Sequence, residues 1–406
     1  MFLLRHRTET GWEKPEMGWL AERHRQTPGS KALTGMREKL EFQSNRIEAV
    51  LSLHKIQAQV TGGTVTPRWI RFQVLPMLGA KISKIKGLSE ELAAALDAPN
   101  CRVARRGAAM AVEIPRDDPL PVQLMPIYSQ LYNSEEGIPP ITATLGLAED
   151  GVPLLIRLPS PDVAHILVAG TTGSGKTVLM QTIILSLAMA NPVPSPFRGN
   201  GSREELRLML IDPKGFAFAP FEGLPHLARE VVRDAEEATE ALQSLVHLME
   251  RSGPASDRAQ PHVVVVIDEL ADLLMTGEKP LEQALTRLTQ RGREAGIHII
   301  AATQKPSAAV LGPLLKANFP VRLVGRVTSA SDARTATGWT GTGAERLMGR
   351  GDFLAVAEGQ LTHFQAAFIS PEEIREAVTA LAQNEMVVTR YGLGVDTPVS
   401  TAYGAV

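Results

Sequence analysis

Along the chain, apolar and polar positions follow two rhythms, and the change between them falls near residue 140. Before it, Ile47, Val50, Leu51 and His54 recur at helical spacing from Ser44, which predicts an amphipathic helix. Residues 56–60 and 65–75 read as strands around a hairpin at Gly62-Gly63. Ser89 is placed to cap a helix over 90–96, and short strands follow near 102–104 and 109–114. This pattern predicts a small α+β domain over 43–138, after an N-terminal extension of 1–42 without periodicity. After Pro139-Pro140, apolar runs of strand length alternate with helical periods. The runs are 166–169, 206–211, 263–267, 297–302 and 321–327, and the helices between them include 176–189, 235–250 and 281–294. Asp234 with Glu237, and Ser370 with Pro371 and Glu373, give helix-start signals. The fold class is therefore α/β: a parallel sheet flanked by helices over 139–385, then a tail of 386–406.

Composition changes this picture little. Hydrophobic residues are 44% and charged residues 21% of 406, an ordinary globular balance that excludes a fibrous or wholly disordered chain. A single cysteine, Cys101, excludes a disulfide framework and a cysteine-based zinc site. The apolar run over 178–190 is broken by Gln181, Thr182 and Ser186, so no membrane insertion is read; Arg5 and Arg7 are followed by no apolar core, so no secretory signal is read; and with a single cysteine a cytoplasmic location is expected. Charge matters more. The net charge is −2, but residues 228–282 hold 5 basic and 12 acidic side chains (−7), and residues 283–350 hold 10 basic and 3 acidic (+7). Such asymmetry permits one basic face for nucleic acid, or pairing of the two stretches within or between chains.

The chemistry concentrates at strand ends. Gly170-Thr171-Thr172-Gly173-Ser174-Gly175-Lys176-Thr177 fits G-x-x-x-x-G-K-[ST], between a strand and a helix, as phosphate binding requires. Glycines let backbone N–H groups turn toward phosphate oxygens, and the helix start adds positive charge. Gly170 to Val178 are thus the expected nucleotide-binding set. Lys176 reaches the β- and γ-phosphates and Thr177 ligates Mg²⁺. The run 263–267 ends in Asp268-Glu269: Asp268 is expected to hold Mg²⁺ through water, and Glu269 to act as general base on the attacking water. The competing reading, two acids capping the next helix, weakens once a phosphate loop lies upstream. Gln304, after the strand that ends at Thr303, would contact the γ-phosphate or the water, or merely satisfy a strand end. Arg287, Arg291, Arg293, Arg322, Arg326 and Arg334 include candidates for an arginine supplied to a neighbouring site. Arg322 joins the catalytic set, against a competing surface ion-pair role for any single one. His165 and His298 flank strands and are expected to be packed, and the nine histidines show no zinc-ligand spacing.

Several blocks go beyond a generic phosphate loop. They are residues 165–177, Ile211-Asp212-Pro213-Lys214, residues 222–227, residues 267–273, residues 293–298, Ala302-Thr303-Gln304-Lys305-Pro306-Ser307, Lys316-Ala317-Asn318 and Met348-Gly349-Arg350-Gly351-Asp352. Together they resemble the FtsK/SpoIIIE family of hexameric DNA translocases over roughly residues 45–370. The resemblance implies a small domain followed by a RecA-like motor domain, stacked as rings around double-stranded DNA. It further implies ATP and Mg²⁺ as cofactors and a homo-oligomeric ring, expected to be a hexamer. FtsK-like motors of conjugative DNA transfer or protein secretion are the alternative. No N-terminal spans and no C-terminal winged helix are read, and Gly215-Phe216-Ala217-Phe218 departs from the acidic, leucine-rich continuation of the family.

Overall fold

The computed structural model describes residues 3–5, 30–65, 68–192, 205–251, 261–306, 318–383 and 387, apart from positions 78, 108, 136 and 150. They form two compact units. Residues 30–121 make the smaller one. Residues 3–5, as strand β1 (Leu3–Arg5), belong with residues 122–387 in the larger. The units therefore divide after Pro121, earlier than the expected 138.

In the smaller unit, α1 (Ser30–Leu53) leads into β2 (Ala58–Val65) and β3 (Trp69–Pro76), then α2 (Ile82–Gly87), α3 (Ser89–Ala95), β4 (Arg102–Arg106) and β5 (Ala109–Pro115). The antiparallel sheet runs β2-β3-β5-β4. Ile70, Phe72 and Val74 alternate along β3 and pack in one core with Ile47 and Leu51 of α1 and Met110, Val112 and Ile114 of β5. Glu113 of β5 is buried against the Arg71 guanidinium at 2.7 Å, so this buried carboxylate is paired. Cys101 carries a free, half-buried thiol, pushed up to about 12 by burial and by the Glu113 charge.

Three expectations change here. The first helix starts at Ser30, well before Ser44. Gly62-Gly63 lies inside β2, at a register shift against β3, and the connection at 66–67 lies outside the described residues. Ser89 does not cap α3: Leu88 holds that position with no side-chain bond, and the Ser89 hydroxyl donates to Lys86 O at 3.1 Å.

The larger unit follows as α4 (Leu124–Tyr132), β6 (Thr142–Ala148), β7 (Pro153–Arg157), β8 (Ile166–Ala169), α5 (Lys176–Ala190), β9 (Leu206–Ile211), α6 (Ala235–Arg251), β10 (His262–Ile267), α7 (Leu270–Thr276), α8 (Glu278–Arg291), β11 (Ile297–Thr303), β12 (Val321–Val324), α9 (Ala330–Thr337), β13 (Asp352–Ala357), β14 (Gln360–Ala366) and α10 (Pro371–Ala382). Among the described residues the sheet has ten strands, ordered β1-β7-β6-β14-β13-β12-β8-β11-β10-β9. From β12 to β9 every pair is parallel, as the alternating strands and helices predict. From β12 to β1 every pair is antiparallel, an extension that the sequence pattern does not announce. It is built of hairpins, one of them turning at Glu358-Gly359, both with positive φ.

α5 is apolar on every side because it is buried on every side. Its polar residues are satisfied inside the fold: Gln181 donates to Ala217 O at 2.7 Å, Thr182 to Ala367 O at 2.8 Å, and Ser186 Oγ accepts the Thr144 N–H at 3.0 Å. α10 starts with a full Ser370/Glu373 capping box, and the Asp234 carboxylate accepts the Glu237 N–H at 2.8 Å. No helix among the described residues is long and apolar enough to cross a membrane.

Candidate nucleotide site

The loop Gly170–Thr177 joins the C-terminal end of β8 to the first turn of α5, where a parallel sheet gathers its strand ends. β11 lies on one side of β8 and β12 on the other. Gly170 N–H donates to Thr303 O at 3.2 Å on the β11 side, and Thr171 N–H to Arg326 O at 2.8 Å on the β12 side. Thr171 Oγ1 adds a second bond to Arg326 O at 3.0 Å. Lys176 folds back over the loop, donating to Gly170 O at 2.6 Å and Thr171 O at 3.2 Å. Burial holds its amine below the usual lysine range, opposed by the charges of Glu269 and Asp268. Ser174 Oγ is buried, Thr172 and Thr177 are exposed, and Val178 is half-buried.

A second loop closes over the first. Arg350 N–H donates to Gly173 O at 2.9 Å and Gly351 N–H to Ser174 O at 2.8 Å. Gly175, at φ +100, admits this approach, since a Cβ there would sit 2.6 Å from Gly351 N. Gly349, at φ +75, is as constrained: its Cβ would fall 2.9 Å from Gly173 O. Asp352 fixes the end of this loop by accepting the Met348 N–H at 2.8 Å, and His363 bridges Asp352 to Glu149.

The acids stand at the end of β10. Asp268 is half-buried, and its carboxyl is pushed up to about 6, first by burial and then by Asp212 and Glu269 nearby, with Lys214 and Lys176 opposing. Glu269 is buried and reaches across to β11, where it accepts from Thr303 Oγ1 at 3.0 Å and from Gln304 N–H at 3.1 Å. Gln304 Oε1 in turn accepts from Thr172 Oγ1 at 3.0 Å. Lys214 Nζ lies 3.8 Å from Glu269 and 3.4 Å from Asp272. Its turn is organised by Asp212, fully buried, whose carboxylate accepts four backbone N–H groups, those of Lys214, Gly215, Ala217 and Phe218, at 2.7–3.2 Å.

The structure thus gathers the 170–177 loop, Lys176, Asp268, Glu269 and Gln304 at one end of the sheet. Arg322 is not among them. It pairs with Leu167 in mid-strand, short of the end of β8 at Ala169, so it sits about 10 Å down the sheet from the loop. Its guanidinium is half-buried beside Gly338 and donates to Phe319 O at 3.4 Å. Its expected role, toward a neighbouring copy's site, is separate from the set gathered here. Arg287 makes a surface ion pair with Glu250 at 3.3 Å, one link between the acidic and basic stretches within the chain. His165 and His298 are buried, and desolvation pushes them down to about 4 and about 3, as packed neutral rings. Sequence reasoning assigns no role to Thr303, to Lys214 or to the 348–352 loop, though the glycines of that loop are its visible trace.

Among the described residues no group of three or more His, Cys, Asp and Glu side chains is arranged to hold a metal. The donor set fits an ion held by few protein ligands, with water and phosphate completing its shell, as Mg²⁺ prefers. A cation there would also offset the Asp212 and Glu269 charges that, after burial, raise Asp268.

Comparison with known proteins finds family matches along both units. The FtsK/SpoIIIE family model matches residues 138–254 and 251–308, and the FtsK alpha domain model matches residues 15–116. The DNA translocase FtsK of Bacillus anthracis is 34% identical over 384 residues, which are 86% of this chain and 46% of the relative. That of Sporosarcina ureae is 32% identical over 400 residues, 89% of this chain and 49% of the relative. The chain spans about half the length of the curated relatives it matches. Among solved structures, the pCW3 conjugation coupling protein TcpA, in its monomer form with ATPγS, superposes with a TM-score of 0.54 at 19% identity, covering 82% of this chain and 98% of that one. The cytoplasmic domain of the type VII secretion ATPase EccC from Thermomonospora curvata gives 0.50 at 24% identity, covering 60% and 31%. These likenesses show the P-loop ATPase fold.

Proposed function

The chain belongs to the FtsK/SpoIIIE family, and from that premise we propose that it hydrolyses ATP to drive double-stranded DNA through a ring of its own copies, six in number. One observation carries the reading above all. A phosphate-binding loop, its lysine, an Asp-Glu pair and a glutamine meet where neighbouring parallel strands end. No generic phosphate site needs all of these, whereas hydrolysis does.

In this reading the N–H groups of residues 170–177 cradle the phosphates, and Lys176 exchanges its bonds to Gly170 O and Thr171 O for phosphate oxygens. Thr177 and Asp268 hold Mg²⁺, which when bound neutralises charge on the transferring phosphoryl group. Glu269 takes the proton of the attacking water. Gln304 gives up its bond to Thr172 and contacts the γ-phosphate or that water. An arginine from the neighbouring copy completes the site. DNA is held through its phosphates, without reading bases, by lysines and arginines of the stretch 305–334.

The measurement is ATP turnover with duplex DNA, with single strands and with no DNA. Duplex is expected to stimulate several-fold more than single strands, and the stimulation to fall steeply as salt rises. Turnover indifferent to every form of DNA would overturn the reading and favour a protein-secretion motor built on the same fold.

A further inference from the structure

The two oxygens of Glu269 are not equivalent. Oε1 accepts a hydrogen bond from the Thr303 hydroxyl at 3.0 Å and a second from Gln304 N–H at 3.1 Å. Among the described residues, Oε2 meets only the far edge of that N–H, at 3.3 Å, and the Lys214 ammonium at 3.8 Å. Thr303 is itself fully buried, and its strand register against Ala169 of β8 fixes its position. Its oxygen already accepts the Lys305 N–H at 3.1 Å, and a hydroxyl has one proton to give. That proton is committed to Glu269.

We propose that Thr303 is the positioning residue of the hydrolytic base: its hydroxyl pins Oε1 of Glu269 and leaves Oε2 as the oxygen presented to the attacking water. The proposal rests on Glu269 being that base. A glutamate carries three rotatable bonds, and a base that samples several rotamers spends little time in line with its water. Gln304 N–H alone sits between both oxygens and cannot choose one. Thr303 makes the choice, because its bond reaches Oε1 only. Lys214 lies against the opposite oxygen, with Asp272, Asp268 and Lys176 as the other charged neighbours. The competing role is that Thr303 merely satisfies the Lys305 N–H at a strand end, in which case Glu269 is indifferent to it.

The test is steady-state ATP hydrolysis and equilibrium ATP binding by the full chain carrying T303V, T303A or T303S, each alone and with E269Q. T303V and T303A are expected to lower kcat about tenfold and to leave KM and ATP affinity within about twofold, while T303S restores kcat. In the E269Q background T303V is expected to remove nothing further, because the group it positions has gone. Retained ATP binding shows that each variant keeps its site. A wild-type kcat in T303V, a parallel loss of affinity in both T303V and T303A, or a further loss on top of E269Q would each overturn the proposal. If E269Q itself hydrolyses ATP at the wild-type rate, the assignment of the base fails instead, and the two failures are told apart.

Discussion

The two flanks of the 170–177 loop are built from different materials. On the β11 side the contacts are mostly made by side chains: Thr172 to Gln304, Glu269 to Thr303, and Lys214 reaching in from the turn after β9. On the β12 and β13 side they are mostly backbone to backbone: Thr171 to Arg326 O, Arg350 N–H to Gly173 O and Gly351 N–H to Ser174 O. The first flank can change partners when charge arrives, because side chains rotate. The second cannot, because its partners are main chain held at close approach and its room is set by glycines without a Cβ. One side is thus equipped for chemistry and the other for holding the loop's shape.

The largest effect that tests this contrast is on the first flank. Glu269→Gln is expected to lower turnover at least about a hundredfold while ATP still binds. Rapid quench and equilibrium binding read the two separately, and loss of binding in step with turnover would break the division of labour. On the second flank, Gly349→Ala forces a Cβ to 2.9 Å from Gly173 O at a φ of +75. The left-handed backbone alone costs about 1–2 kcal/mol, so ATP affinity is expected to fall about tenfold, with turnover at saturation near wild type. A normal affinity with a slow turnover would reverse the assignment of the flanks.

The smallest effect concerns stability. Asp268 sits on the first flank with its folded-state value at about 6, above the ordinary 3.8. The folded chain therefore binds this proton more tightly than the unfolded one. The stability it contributes is complete below 3.8 and is lost as pH rises through 6. Asp268→Asn should accordingly stabilise the nucleotide-free protein at pH 8 by about 1–2 kcal/mol, and the gain should shrink below about pH 6. Denaturant melts at the two pH values check it. An equal gain at both would mean that the burial of this charge beside Asp212 and Glu269 is not what loads this flank.

The same division explains what the sequence discloses. Side-chain chemistry leaves fixed letters at fixed spacings, so Gly170–Thr177 and Asp268-Glu269 are legible from the amino-acid order alone, as are the apolar runs that form β8 to β12. Backbone contacts leave only glycines, and Gly349 and Gly351 say nothing of the partner they approach. Thr303 is legible as a strand end, but its partner lies 34 residues away and only the register of β10 against β11 brings them together. The antiparallel half escapes for a related reason. Its strands turn straight back on one another, as at Glu358-Gly359, without the intervening helical periods that mark the parallel half, and α4, with Pro126 inside it, carries no capping signal. Gly62-Gly63 misleads in the opposite direction, since a bulge and a turn call for the same residue type.

Strand β12 is where the two halves of the large sheet are riveted. One edge runs parallel to β8, from Val321 beside Ile166 to Val324 beside Ala169, and the other runs antiparallel to β13. The strand that ends at the 170–177 loop and the strand that begins at the overlying loop are thus separated by a single shared strand, itself four residues long. The ten hydrogen-bonded strands continue without a break from that strand to β9 on one side and to β1 on the other, so the loop and the far antiparallel margin belong to one sheet.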